Sequence, residues 1–527
     1  MTMNKATQNN KVVILGEHPI LPNIRHQYAE MGTEVCHYND INTTFDINDC
    51  DELFVLTHNK CQSSTEADNN AIALLSSFAH NYNPENHNGK KLLCHLLLQN
   101  NTSLHILQTT DFCDEIKLKI DVYPFTIDEV WSKSIDLDRE PITLKSEKRV
   151  HLVIFGMSEM AEMVAINAAH KAHYPNFVRN HTLRTRITIV DENITAKYEA
   201  FISKYQHLFD NSYYRIINPN SSHVVEKFHA PMYEKSRECF VDVEWEFVNA
   251  STYNTTVLQK LAYWATDNSQ LLTIAMTFDD ESLNIDRALH LPDDVYSAQI
   301  PIYIYLRNAT MLERTKRMEK FATIYPFGML NRGYDIKLPL ITMAKTINHI
   351  YDQFYNDNYS HFSDNDWQMQ YAVEIDCDAM EKSWSKLSTV KRQSNICNAM
   401  TIASKMKSIG LGEDDWDKFY DISQQEIELL AQVEHNRWNV EELILGYRPC
   451  TDDEQQMIEN DISLKEVLKR KNKIHYDIRA YRDLRADATG KSVTIYDICL
   501  CSCLPLIAKS FVSKYNSNQL HEKGGIK

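Results

Sequence analysis

Between residues 434 and 481 the chain gathers side chains that could hold, polarise or deprotonate a small molecule. Glu434, His435 and Trp438 come first, then Glu442, Tyr447 and Arg448, then Lys473, His475, Asp477 and Tyr481. A histidine with a carboxylate one turn away can act as a general base. Aromatic rings with Arg and Lys nearby can hold a nucleotide without a glycine-rich loop, the rings stacking on a base and the cations meeting phosphates. The second chemistry suits this chain better. It has no Gly-x-Ser-x-Gly elbow, no Gly-x-x-x-x-Gly-Lys phosphate loop and no His-Glu-x-x-His helix. A lone histidine without a nucleophile or metal set also serves as a packing residue.

The first of these residues need a helix to position them. Ser423 with Glu426 three residues on makes a capping box, and Gly446 suits the position just past the C-terminus. Between them Ile427, Leu430, Ala431, Glu434, Trp438, Glu442 and Leu445 recur at three- or four-residue steps and share a face. Two carboxylates and an indole thus interrupt an apolar stripe, and buried polar groups there need partners, from protein, water or ligand.

The order His-x-x-Trp, Gly-aromatic, Lys-x-His and Tyr-x-x-Leu resembles the repeat domain named after ryanodine receptors. It is carried by His435, Trp438, Gly446, Tyr447, Lys473, His475, Tyr481 and Leu484, with Tyr496-Asp497 and Leu504-Pro505 closing the module. The likeness covers roughly residues 420 to 512, with Tyr447 where the family often has Trp and Asp477 where it often has Pro. In prokaryotes such modules look like ligand-sensing attachments. The resemblance therefore implies binding, with both clusters lining one cleft, and leaves the ligand open. Arg392-Gln393-Ser394-Asn395 and the helix after it also look like the segment that precedes this module in bacterial fusions with a Rossmann domain.

Composition bounds the rest. The chain has 527 residues, 43% hydrophobic and 10% aromatic, enough for about three or four domains with sizeable cores. Lys plus Arg is 55 and Asp plus Glu 72, a net charge of −17. An acidic surface repels nucleic-acid backbones, so duplex DNA is not an expected partner. The 12 cysteines have no zinc spacing, so no metal is expected. No signal peptide or membrane span is legible, which points to a reducing cytoplasm.

The N-terminal two thirds read as strands alternating with helices, hence as parallel sheets. Strand-like runs are 11–16, 33–38, 53–56, 91–98 and 104–107, with a helix over 65–79. The first turn, Gly16-Glu17-His18-Pro19, lacks the later glycines of a dinucleotide site. The pattern restarts at Val150–Gly156, and runs 186–191, 244–248, 271–276 and 301–306 follow. This second unit, about 148 to 310, resembles the RCK or TrkA-N nucleotide-binding domain of potassium-uptake regulators. Gly156, Ser158 and Asp191 would be its cofactor residues, Asp191 matching the acid that contacts ribose. Gly-x-Ser-x-x-Ala replaces Gly-x-Gly-x-x-Gly, and Ser158 puts a Cβ where phosphate comes closest.

The expected fold class is α/β: two Rossmann-like parallel-sheet domains followed by a mainly helical module. The expected boundaries are 1–146, 147–335, a helical connection 336–419, the sensing module 420–514 and a disordered tail 515–527. The functional expectation is a non-catalytic cytoplasmic sensor that binds a nucleotide-like or NAD-derived ligand and forms a homo-oligomer. A membrane effector as partner stays open. Nucleotide signalling, in antiviral defence or ion homeostasis, is a setting the resemblance suggests. Two other readings stand beside it: an NAD(P)-dependent enzyme working from Gly156 and Asp191, and a structural protein with no ligand.

Overall fold

The computed structural model describes residues 11–510 apart from 42, 57–62, 88, 111, 220–224, 232–238, 309, 311, 313–317, 331–333, 337–338, 356–372, 417–421 and 486–491. The expected tail lies outside the described residues.

The fold is α/β, as read. The first sheet holds β1 (Val12–Leu15), β2 (Val35–Tyr38), β3 (Glu52–Val55), β4 (Leu92–Leu97) and β5 (Ile120–Phe125), all parallel, in the order β2-β1-β3-β4-β5. Apolar residues fill both faces, as a parallel sheet covered by helices requires. The run 104–107 is not a strand but lies in the Asn101–Thr109 helix. The Asn100 side chain caps that helix by accepting from the Thr102 N–H at 2.7 Å, and Leu104 and Leu107 lie three apart on its buried face. The place expected of that run is taken by β5.

The second sheet has eight strands: β6 (Arg149–Phe155), β7 (Thr185–Asp191), β8 (Tyr213–Asn218), β9 (Val225–His229), β10 (Val243–Asn249), β11 (Gln270–Met276), β12 (Ile302–Tyr305) and β13 (Ile324–Phe327). Their order is β13-β12-β11-β6-β7-β10-β8-β9. Without the β8–β9 hairpin this is a six-stranded doubly wound sheet, with its direction of winding reversing between β6 and β11. Only β9 runs antiparallel to its neighbour. Ile324–Phe327, for which no strand was read, adds an edge strand beside β12 within the expected 147–335 unit.

The helical part begins with Pro339–Tyr355 and ends at Thr494–Ser502 and the helical residues 504–510 after it. The expected connection 336–419 and the module after it share one core: Met343, Ile347, Ile396 and Met406 pack with Ile427, Leu430, Ile498 and Leu504. Cys499, Cys501 and Cys503 are buried there as free thiols. This body is fastened to the first sheet by Arg392, whose Nη2 donates to Asp121 at 2.7 Å, and by Trp384, whose Nε1–H reaches the Tyr123 hydroxyl at 2.6 Å. Among the described residues no helix is long and apolar enough to cross a membrane.

Candidate functional site

The Gln424–Ile444 helix positions the first cluster. Ser423 and Glu426 form the capping box, and the far end closes on Gly446 at φ +84°. There the Tyr447 N–H reaches the Glu442 carbonyl at 2.9 Å and the Gly446 N–H reaches Leu443 at 3.1 Å, the paired bonds of a Schellman motif. The chain then makes a short strand β14 (Arg448–Pro449) beside β15 (Ile474–His475). This pairing brings Lys473, His475 and Asp477 back to the helix, as both clusters were expected to meet. Lys473 sits at φ +53°, left-handed without being glycine. Its Nζ donates to the Leu445 carbonyl at 2.9 Å, which ties the two segments together.

One side of the helix is an ionic core. Glu434 accepts from Arg437 Nη2 at 2.8 Å, from Lys405 Nζ at 2.5 Å and from Asn398 Nδ2 at 2.9 Å. Arg437 Nη1 reaches Glu441 at 2.5 Å. All four charged groups are buried. Burial alone would raise the Glu434 carboxyl, but Arg437 and Lys405 hold it down at about 2. Glu434 thus faces Lys405 and Arg437 with both oxygens occupied and is not placed as a ligand wall. Lys405 and Asn398 were not singled out from the sequence, since nothing in their local spacing points at a residue 29 or 36 positions on.

The other side is aromatic. His435 stacks on Trp438 with centroids 5.4 Å apart, and Trp438 meets His475 edge-on at 4.9 Å. Tyr481 lies 5.8 Å from His435 and Tyr447 6.1 Å from His475. Trp438, Tyr447 and Tyr481 are half-buried, so the cluster reaches the surface. Both nitrogens of His435 are engaged, Nε2 with the Arg479 carbonyl at 3.0 Å and Nδ1 with Asp497 at 3.3 Å. It is therefore a ring that positions Trp438, not an available base.

His475 differs. Burial, with Lys469 and Lys465 beside it, pushes its pKa well below the usual value, so the ring is neutral. Its Nδ1 accepts from the Asp477 N–H at 3.2 Å, so the proton sits on Nε2. That Nε2 is buried and has no hydrogen-bond partner among the described residues. Glu442, one turn beyond Trp438, likewise has a buried Oε2 without a partner. Burial raises its carboxyl to about 7, against the pull of Lys469 and Lys473. Lys469 acts on both groups, yet read from the sequence it belongs to a solvated helix face.

The remaining expected contacts are occupied within the protein. Arg448 grips Glu454 with two bonds of 2.7 and 2.8 Å. Arg479 donates from Nε to the Tyr476 carbonyl at 2.8 Å and lies 4.1 Å over the Tyr476 ring. Asp477 pairs with Lys465 at 2.8 Å.

The crevice above β6 is built otherwise. Gly156 has φ +88°, and a Cβ there would lie 2.6 Å from the Phe278 ring. Asp191 accepts from the Met157 N–H at 2.8 Å, from the Asn193 N–H at 2.7 Å and from Lys197 at 3.0 Å. Ser158 caps the Glu159–Lys171 helix by accepting from the Ala161 N–H at 3.2 Å and donates its own proton to the Thr277 carbonyl. Gly156, Ser158 and Asp191 do meet at the point where the winding reverses, and their polar groups are satisfied by one another's loops. Among the described residues no group of three or more His, Cys, Asp or Glu side chains could hold a metal ion.

A cavity of about 400 Å³ lies elsewhere, between β5 and the Pro339–Tyr355 and Thr389–Ala399 helices. Its wall is mainly apolar, and its charges are paired as Lys133 with Glu129 and Arg392 with Asp121.

Fold and site together define a multidomain α/β protein with a helical C-terminal module that carries a half-buried aromatic cluster. No family model, no curated protein and no solved structure matches the chain.

Proposed function

We propose that this protein is a non-catalytic sensor whose C-terminal module binds a small, nucleotide-derived ligand and thereby controls a partner or its own assembly. One observation carries the reading. Glu442 Oε2 and His475 Nε2–H are buried beside a half-buried aromatic cluster, and neither has a partner among the described residues. A buried polar group without a partner costs about 1–3 kcal/mol, and a ligand that pairs it recovers that cost. An N–H donor and a carboxyl near its midpoint at neutral pH complement the edge of a nucleobase, which itself alternates donors and acceptors. Trp438, Tyr447 and Tyr481 offer ring faces for stacking. Lys469 and Lys473 offer positive charge to a phosphate.

The histidines do not support catalysis. His435 is held at both nitrogens, and His475 carries its proton on Nε2 at a depressed pKa and cannot abstract another. The enzyme reading from Gly156 and Asp191 also loses support, because Asp191 is bonded to the loop that would receive a cofactor.

Trp438 fluorescence and calorimetry of the full chain test this against AMP, cyclic dinucleotides, ADP-ribose and NAD. At least one should bind, and Trp438→Ala and Glu442→Gln should each weaken it by about tenfold or more, the loss of roughly one stacked base or one paired buried group. The proposal fails if none binds, or if binding is indifferent to Trp438→Ala.

A further inference from the structure

The helices leave part of the second sheet uncovered. Side chains alternate across a strand, so Leu152, Ile187, Trp245 and Phe247 enter one core. His151, Arg186, Thr188, Glu244 and Glu246 stand on the opposite face. Along that face the C-terminal ends of the strands carry Val153, Phe155, Val190 and Val248, which join the core under the Thr255–Thr266 and Glu281–Leu289 helices. The N-terminal ends carry charge instead. They floor a cavity of about 330 Å³ lined by Arg149, Arg184, Arg186, Arg215, Glu244 and Glu246, with Tyr213 and Phe228 at its side.

The described residues of this cavity divide their charges unevenly. Glu244 accepts from Arg186 at 2.7 Å and lies 3.8 Å from Arg149. Glu246 lies 3.3 Å from Arg215 and 3.5 Å from Arg186, and also accepts from the Thr188 hydroxyl at 2.9 Å. Two carboxylates are thus shared by three guanidinium groups. The fourth, Arg184, has the Cys239 sulfur at 3.3 Å and the Tyr213 ring at 4.1 Å. Among the described lining residues the cations exceed the anions by two. Arg149 donates from Nη2 to the Thr182 carbonyl, but Arg149 Nε and Arg184 Nε are buried and lack hydrogen-bond partners among the described residues. Burial pushes the Arg149 pKa down, and the neighbouring Arg186 charge pushes it further. A buried charge is tolerated when it is paired and hydrogen-bonded, and here that pairing is incomplete.

We infer that this cavity is an anion site for a phosphate monoester, and that an aromatic group on the ester stacks at the Tyr213–Phe228 side. A phosphate dianion supplies two negative charges and accepts from guanidinium forks that approach from different directions. A planar carboxylate takes only one fork in its plane. Phe228 is 53% exposed and its ring lies 5.9 Å from that of Tyr213, an open aromatic surface next to the cations. The volume lies at the low end of the range for small-molecule sites, about 300–1,000 Å³. This site belongs to the second sheet and is independent of the C-terminal cleft.

Calorimetry of the full chain with AMP, ribose 5-phosphate, adenosine and succinate tests it. To separate the two sites, titrations are run in a Trp438→Ala background. AMP and ribose 5-phosphate should bind, AMP more tightly, and both more weakly as salt rises. The Arg149→Gln/Arg184→Gln pair should weaken both tenfold or more. Arg215→Ala, at the more open side of the cavity, should weaken both severalfold without unfolding the chain, and decides the matter if the double variant does not fold. The inference is overturned if neither phosphate binds, if adenosine binds as tightly as AMP, if succinate matches ribose 5-phosphate, or if Arg215→Ala leaves both affinities unchanged.

Discussion

The crevice above β6 and the cleft on the Gln424–Ile444 helix use the same kinds of residue, a glycine in a left-handed turn, a buried acid and an aromatic ring. In the crevice the acid, Asp191, bonds to two backbone N–H groups and a lysine, and the Phe278 ring covers Gly156. In the cluster on the helix the acid, Glu442, keeps an oxygen without a partner among the described residues, and the rings are half-buried. A ligand gains most where the protein has left polar groups unmatched, because it then repairs a deficit instead of competing with bonds already made. By that criterion the Gly156–Asp191 crevice is the closed one. The helix itself repeats the contrast between two of its acids: both oxygens of Glu434 are bonded by Lys405, Asn398 and Arg437, while Glu442 Oε2 has no partner among the described residues.

The largest effect should come from the satisfied side. Arg437→Met leaves Glu441 buried without a cation and Glu434 with Lys405 alone. Breaking a buried ion pair this way costs about 3–5 kcal/mol, to be read from urea unfolding. A loss below about 1 kcal/mol would mean that these charges are not held as buried pairs.

Glu442 gives a smaller, pH-dependent effect. Its carboxyl is raised from 4.5 to about 7 in the folded chain. The folded state therefore holds a proton more tightly than the unfolded one. The corresponding stability is complete below about 4.5 and is lost as pH rises through about 7. At about 1.4 kcal/mol per tenfold in proton affinity the loss comes to about 3.5 kcal/mol above neutrality. Glu442→Gln should remove this slope, and parallel stability curves for the two proteins from pH 4.5 to 8 would contradict it.

Gly156→Ala probes the closed crevice and should cost about 1–3 kcal/mol, from a Cβ at a positive φ and its clash with Phe278. Adding Phe278→Ala should recover the clash but not the backbone cost. Full recovery would show that strain at Gly156 is negligible.

Most strands were legible because apolar runs of four to seven residues bounded by glycine or polar turns have few other fates. Four strands of the two sheets escaped, β5, β8, β9 and β13, and two of them, β5 and β13, contain Pro124 and Pro326. Proline removes a ladder donor and breaks the pattern, and both strands lie at a sheet edge where that donor is not needed. The segment 104–107 misled for the opposite reason: a short apolar run fits helix and strand alike, and the Asn100 cap decided it.

The sequence by itself determined the α/β class, the restart at Val150, the helix from Ser423 to Gly446 and the residue types of its aromatic face, because caps, periods and apolar runs act over a few residues. Tertiary structure alone decided which of those residues are available. Lys405 reaches Glu434 from another helix, Phe278 covers Gly156 from another strand end, and Asp497 holds His435 from the far end of the module. Whether a polar atom is satisfied depends on groups distant in the chain, and no local spacing records them.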